Sequence, residues 1–94
     1  MAKKNSEELA DDLRIMKLFR GRCVVCLSPA AEVHELVPRA RSKYAITMKQ
    51  NRVPLCRSCH RRSHFDGYTG SKEELLRNKA IERLIRFDES LENW

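Results

Sequence analysis

The chain has 94 residues, 34% of them charged and 41% apolar, with three glycines and three prolines, which suits one helix-rich domain with a modest core. Nineteen basic residues against thirteen acidic ones leave a net charge of +6. No stretch of eighteen apolar residues is present to span a membrane, and the opening MAKKNSEELADD lacks the apolar run of a signal peptide, so a cytoplasmic protein is expected.

In chain order, Asn5-Ser-Glu-Glu8 offers a helix cap with an acid three residues on, ahead of Leu9, Leu13, Met16 and Phe19 at helical spacing. A helix is expected over 6–20, stopped by Gly21. "AAEVHELVP" reads as a short strand ended by Pro38, with Val33 and Val37 on one face and His34 and Leu36 on the other. "RARSKYAITMKQ" is a basic loop, and "NRVPL" a second short strand that tolerates Pro54 at an edge or end. A helix from Arg57 to about Phe65 is broken by Asp66-Gly67 and Gly70. Ser71-Lys-Glu-Glu74 caps a last helix over about 72–88, whose apolar stripe is Leu75, Leu76, Ala80, Ile81, Leu84 and Ile85. The first and last helices are expected to pack together and against the centre of the chain. There is no internal repeat and no low-complexity stretch.

Cys23-Val-Val-Cys26 and Cys56-Arg-Ser-Cys59 form two CxxC pairs with 29 residues between them. In a reducing compartment such pairs point to metal, and two thiolate knuckles complete a tetrahedral zinc site. The charge excess sits with them. Residues 22–66 carry Arg22, Arg39, Arg41, Lys43, Lys49, Arg52, Arg57, Arg61 and Arg62 against Glu32, Glu35 and Asp66, whereas the flanks are close to neutral. Such a segment suits a polyanion, nucleic acid above all, or is a solvated basic face.

If the cysteines take one zinc, His60 and His64 are left over, four apart and hence on one helix face, the spacing at which two imidazoles share a metal. His34 is on the preceding strand. The alternative is that these histidines lie at the surface or beside the zinc, or that one replaces a cysteine.

"VHELVP", then Asn51, then "LCRSCHRRSH", framed by the CxxC pairs, resembles the HNH endonucleases in their treble-clef, zinc-stapled form, over about Cys23 to His64. The interval from Asn51 to His60 and the further four residues to His64 are similar to the colicin-type DNases. The resemblance implies an α+β chain: a small ββα-metal core at 22–66, flanked by helices at 6–20 and 71–88, in a single domain over 1–94. It further implies a structural zinc on Cys23, Cys26, Cys56 and Cys59, and one catalytic divalent ion (Mg²⁺, Mn²⁺, Ni²⁺ or Zn²⁺) on His34, His60 and His64. Asn51 would orient the general base and tie down the loop. Arg39, Arg41, Lys43, Arg57, Arg61 and Arg62 would hold the DNA backbone.

Glu35 departs from the family, standing where a general-base histidine is usual. A carboxylate is intrinsically the weaker base. Either Glu35 is the base, or His34 turns in as base while others bind metal, or the chain is a damaged nuclease that binds DNA without cutting it. Strand neighbours face opposite ways, so His34 and Glu35 reach one site only through a twist or bulge. The glycine pair common after the proline is also missing. The expected function is hydrolysis of DNA phosphodiesters to 5′-phosphate and 3′-hydroxyl ends. A non-catalytic zinc-finger module and an adaptor using the terminal helices are the alternatives. With no separate reading domain, specificity is expected to be weak or borrowed from a partner protein. Size and layout resemble the small HNH proteins of bacterial viruses and their hosts.

Overall fold

A computed structural model describes residues 5–37, 42, 50–65 and 70–94, the side chains of 63–65 and 70–72 excepted. It is a small mixed α/β structure with three helices, α1 (Ser6–Leu18), α2 (Arg57–Phe65) and α3 (Gly70–Arg86), and two strands, β1 (Glu32–Glu35) and β2 (Arg52–Leu55). A single 3-10 turn follows at Leu91–Asn93. No helix among the described residues is long and apolar enough to cross a membrane.

The Asn5 side chain caps α1 by accepting from the Glu8 N–H at 2.8 Å. The helix stops two residues earlier than its apolar spacing predicts, because Arg20 and Gly21 both take left-handed backbone angles, φ 58° and 68°. The Gly21 N–H then reaches the Met16 carbonyl and the Arg20 N–H the Lys17 carbonyl, closing the helix end. Arginine is an unusual occupant of that first position. Its guanidinium donates to the Phe87 carbonyl at 2.9 Å and lies 4.6 Å from the Phe87 ring centre, which pins the end of α1 to the end of α3. α3 closes the same way through Asp88, φ 59°.

The buried face of α1 is not the one its leucines suggest. Leu9 and Leu13 are 53% and 66% exposed, whereas Glu8, Ile15 and Phe19 are buried. The reason is Arg52. Its side chain is only 6% exposed, and it reaches Asp11 at 2.8 Å and Asp12 at 3.6 Å. A buried guanidinium requires paired carboxylates, so the helix presents the face shared by Asp12, Ile15 and Phe19, one position round from Leu9 and Leu13. α3 likewise buries a narrower stripe than expected: Leu76, Ala80 and Leu84 go in, Ile81 packs at the margin, and Leu75 and Ile85 stay exposed.

β1 and β2 pair antiparallel, with Glu32 opposite Leu55, Val33 opposite Pro54, His34 opposite Val53 and Glu35 opposite Arg52. The core joins Leu36, Val53 and Leu55 of this hairpin to Ile15 and Phe19 of α1 and to the inner stripe of α3. Trp94 completes it. Beyond α3 the chain folds back, so that the indole is 2% exposed, stands edge-on to Phe19 at 6.2 Å and donates to the Arg52 carbonyl at 2.8 Å. Trp94→Ala removes both a large buried side chain and the partner of a buried carbonyl. It should lower stability by about 3–5 kcal/mol, read as a lower urea midpoint by circular dichroism.

Candidate metal centre and the histidines beside it

The first knuckle is a tight turn joined by a bridge between Arg22 and Pro29. Within it the Leu27 N–H bonds the Cys23 carbonyl at 2.9 Å and the Cys23 N–H the Ser28 carbonyl at 2.8 Å, with Leu27 in the left-handed region at φ 64°. The turn is anchored from two sides. The Val24 N–H donates to the Pro54 carbonyl of β2, and Arg83 of α3 donates to the Val24 and Val25 carbonyls at 2.9 and 3.3 Å. The second knuckle forms where β2 runs into α2, and the Cys56 sulfur accepts from the Cys59 N–H at 3.4 Å, acting as a helix cap.

Tertiary structure thus brings together two cysteine pairs with 29 residues between them in the chain. All four sulfurs lie within 4.8 Å of one another, Cys26 being 3.6 Å from Cys56 and 3.9 Å from Cys59. A tetrahedral ion with Zn–S bonds of about 2.3 Å separates its sulfurs by about 3.8 Å, so this geometry fits a zinc. Among the described residues, no other group of three or more cysteine, histidine or carboxylate donors is so gathered. The thiols differ in character. Hydrogen bonding from the Ser28 side chain and backbone brings Cys26 down to about 6, while burial and the neighbouring cysteines push Cys59 well above the usual thiol range. Four adjoining thiolates need a cation to hold them ionised together, and coordination by zinc supplies it. The four cysteines are positioned to hold a metal ion.

His34 and His60 meet next to this cluster. His34, on β1, is 5% exposed, and its ring lies edge-on to that of His60, centroids 5.1 Å apart. His60 is in the first turn of α2, its N–H bonded to the Cys56 carbonyl, so the second knuckle sets its position directly. Its Nδ1 is hydrogen-bonded to the Glu32 carboxylate. Glu32 carries no motif of its own. The sequence signal for it is its place two residues before His34, on the same strand face. Asp12, Met16, Ala31, Glu32, Val33 and His60 line an open cleft there. His64 lies one turn further along α2, its side chain outside the described residues.

Asn51 is fully buried at the mouth of β2. Its Oδ1 accepts from the Val37 N–H at 2.8 Å, its Nδ2 donates to the Val37 carbonyl at 3.1 Å, and its own carbonyl takes the Leu36 N–H at 2.7 Å. The side chain therefore clips the segment that leaves β1. Glu35 is paired opposite Arg52 in a ladder without a bulge, so the strand itself gives none of the extra turn that would aim Glu35 and His34 the same way. Arg57, Arg61 and Arg62 are exposed on α2, where they and Ser58 line a shallow basic cleft. Arg39, Arg41 and Lys43 lie outside the described residues. Comparison with family models, with curated proteins and with solved structures finds no match to this chain.

Proposed function

We propose that this chain is a metal-dependent DNA endonuclease of the HNH type. Its treble-clef core would be stapled by a structural zinc on Cys23, Cys26, Cys56 and Cys59. The observation that carries the reading is the meeting of two imidazoles, from β1 and from α2, beside a cysteine cluster that is already a complete ligand set. A four-thiolate site leaves no open position, which supports reading the cysteines as structural and the histidines as the candidates for chemistry.

His34 and His60 are suitable nitrogen donors for a divalent ion, with His64 as an auxiliary ligand. With an ion held by these residues, the site would gain Lewis-acid stabilisation of the phosphoryl charge and of the departing 3′ oxygen. Asn51 keeps the segment after β1 in place, and the general base that takes a proton from the attacking water is either Glu35 or His34; Glu35 fills that role only if it reaches the strand face that carries His34. Arg57, Arg61 and Arg62, with Arg39, Arg41 and Lys43, hold the phosphate backbone without reading sequence. Specificity is either weak or borrowed from a partner protein, and the cytoplasm of a bacterium or of a phage-infected host is the expected setting.

Incubation with supercoiled plasmid should give nicked or linear DNA with Mg²⁺, Mn²⁺, Ni²⁺ or Zn²⁺ and none with EDTA. His60→Ala should keep the fold and DNA binding but lose at least about 100-fold in cleavage, since a metal ligand acts on the transition state. His64→Ala should lose less. Unchanged nicking by His60→Ala would remove His60 from the site. The second reading, a zinc-finger module that binds nucleic acid without cutting, draws on the basic cleft of α2. It becomes the better account if DNA is bound but no metal supports cleavage.

A further inference from the structure

We propose that Glu32 is the positioning residue of His60: its carboxylate takes the Nδ1 proton, fixes the tautomer and rotation of the ring, and leaves Nε2 as the nitrogen that binds a divalent ion. The inference rests on the reading of His60 as a ligand of that ion.

A neutral imidazole carries its proton on one nitrogen and its lone pair on the other, and the partner of the first decides which is which. In His60 the partner is the Glu32 carboxylate, at Nδ1. A carboxylate accepts but does not donate, so Nδ1 carries the proton and Nε2 the lone pair. Carboxylate–histidine–metal triads are built this way, and the outer carboxylate both orients the ring and raises its basicity. Local structure explains how the contact arises. Glu32 and His34 are two apart on β1 and share a face, and α2 begins against that face because Cys56 and Cys59 are drawn to the first knuckle. One strand face thus presents His60 with its carboxylate partner and with the His34 ring at 5.1 Å. A simple surface ion pair would instead leave both ring nitrogens protonated, and with the two side chains 22% and 39% exposed it would contribute little stability. Glu32 as a direct ligand is the other contrast, and the amide variant separates it. Glutamine's carbonyl oxygen still accepts from Nδ1–H, but glutamine is a poor ligand for a divalent ion.

The test uses the zinc-loaded full chain, ¹⁵N-labelled, with long-range ¹H–¹⁵N correlation spectra of the imidazoles and His60→Ala to assign the His60 signals. Wild type should show His60 protonated at Nδ1 and bare at Nε2. Glu32→Ala should give a mixture of tautomers, while Glu32→Gln should restore the wild-type pattern. Calorimetric titration with Ni²⁺ should show affinity falling by about 10–100-fold in Glu32→Ala and staying near wild type in Glu32→Gln. A Glu32→Ala protein with unchanged tautomer and unchanged Ni²⁺ affinity overturns the proposal. So does a Glu32→Gln protein as weak in Ni²⁺ binding as Glu32→Ala with its tautomer intact, since Glu32 would then be a ligand. A wild type that binds Ni²⁺ with the expected tautomer but cuts no DNA sinks the nuclease reading and leaves this one standing.

Discussion

Cys56→Ser is expected to unfold the protein. A structural zinc contributes on the order of 10–16 kcal/mol in zinc-finger peptides, as much as the whole stability of a small domain, about 5–15 kcal/mol. Cys56 does more than supply one sulfur. It joins β2 to α2, and its sulfur caps the first turn of α2, so its loss frees the helix that carries His60 as well as the knuckle. Trp94 is the single tryptophan of the chain and is buried against Phe19, which makes its emission a direct report of the core. The expected result is zinc-free protein with red-shifted tryptophan emission, lost helical dichroism and no activity of any kind. Cys23→Ser should behave alike, because Cys23 is itself buried in the core. A zinc-free variant with native spectra would refute the structural role.

If Glu35 is the general base, Glu35→Gln is expected to lose about 100–10,000-fold in DNA cleavage, or roughly 3–5 kcal/mol of transition-state stabilisation, the usual contribution of such a group. The amide keeps shape and hydrogen bonding, so fold and DNA binding should persist. Glu35→His restores the residue usual in the HNH family. It should retain or raise activity, with the acidic limb of its pH–rate profile moving toward the imidazole value near 6.5. His34→Ala should also be severe but partly rescued by excess metal, as befits a ligand. A mild Glu35→Gln together with a His34→Ala that excess metal does not rescue would make His34 the base. The unbulged ladder, which seats Glu35 opposite Arg52 while His34 meets His60, makes this exchange the sharpest check on the assigned roles. If wild type and Glu35→His both bind DNA and are inert with Mg²⁺, Mn²⁺, Zn²⁺ and Ni²⁺, the zinc-finger module takes the place of the enzyme.

Features governed by short-range chemistry were legible in the sequence. The cap at Asn5, the end of α1 near Gly21, the span of α2 and the two short strands follow from residues within a few positions of each other. The CxxC pairs also announce their metal site, because thiolate ligation depends on local spacing and two knuckles have one efficient way to close. Asn51 was legible only as an element of the HNH pattern. Its double hydrogen bond to Val37 needed the hairpin to be folded.

Tertiary structure decided the rest, through partners distant in the chain. Leu9 and Leu13 have the spacing of a buried stripe, yet α1 turns its neighbouring face inward because Arg52 is buried and unpaired charge in a core costs more than two exposed leucines. Trp94 enters the core only because α3 and the turn after it return the chain to Phe19 and β2. Glu32 becomes the partner of His60 because ligand geometry at the cysteines fixes where α2 starts relative to β1. Residue types and their local spacing thus settled which elements form and where a metal can sit. Which face each element buries, and which carboxylate meets which imidazole, was settled by packing, since burial must satisfy every charge and hydrogen bond at once.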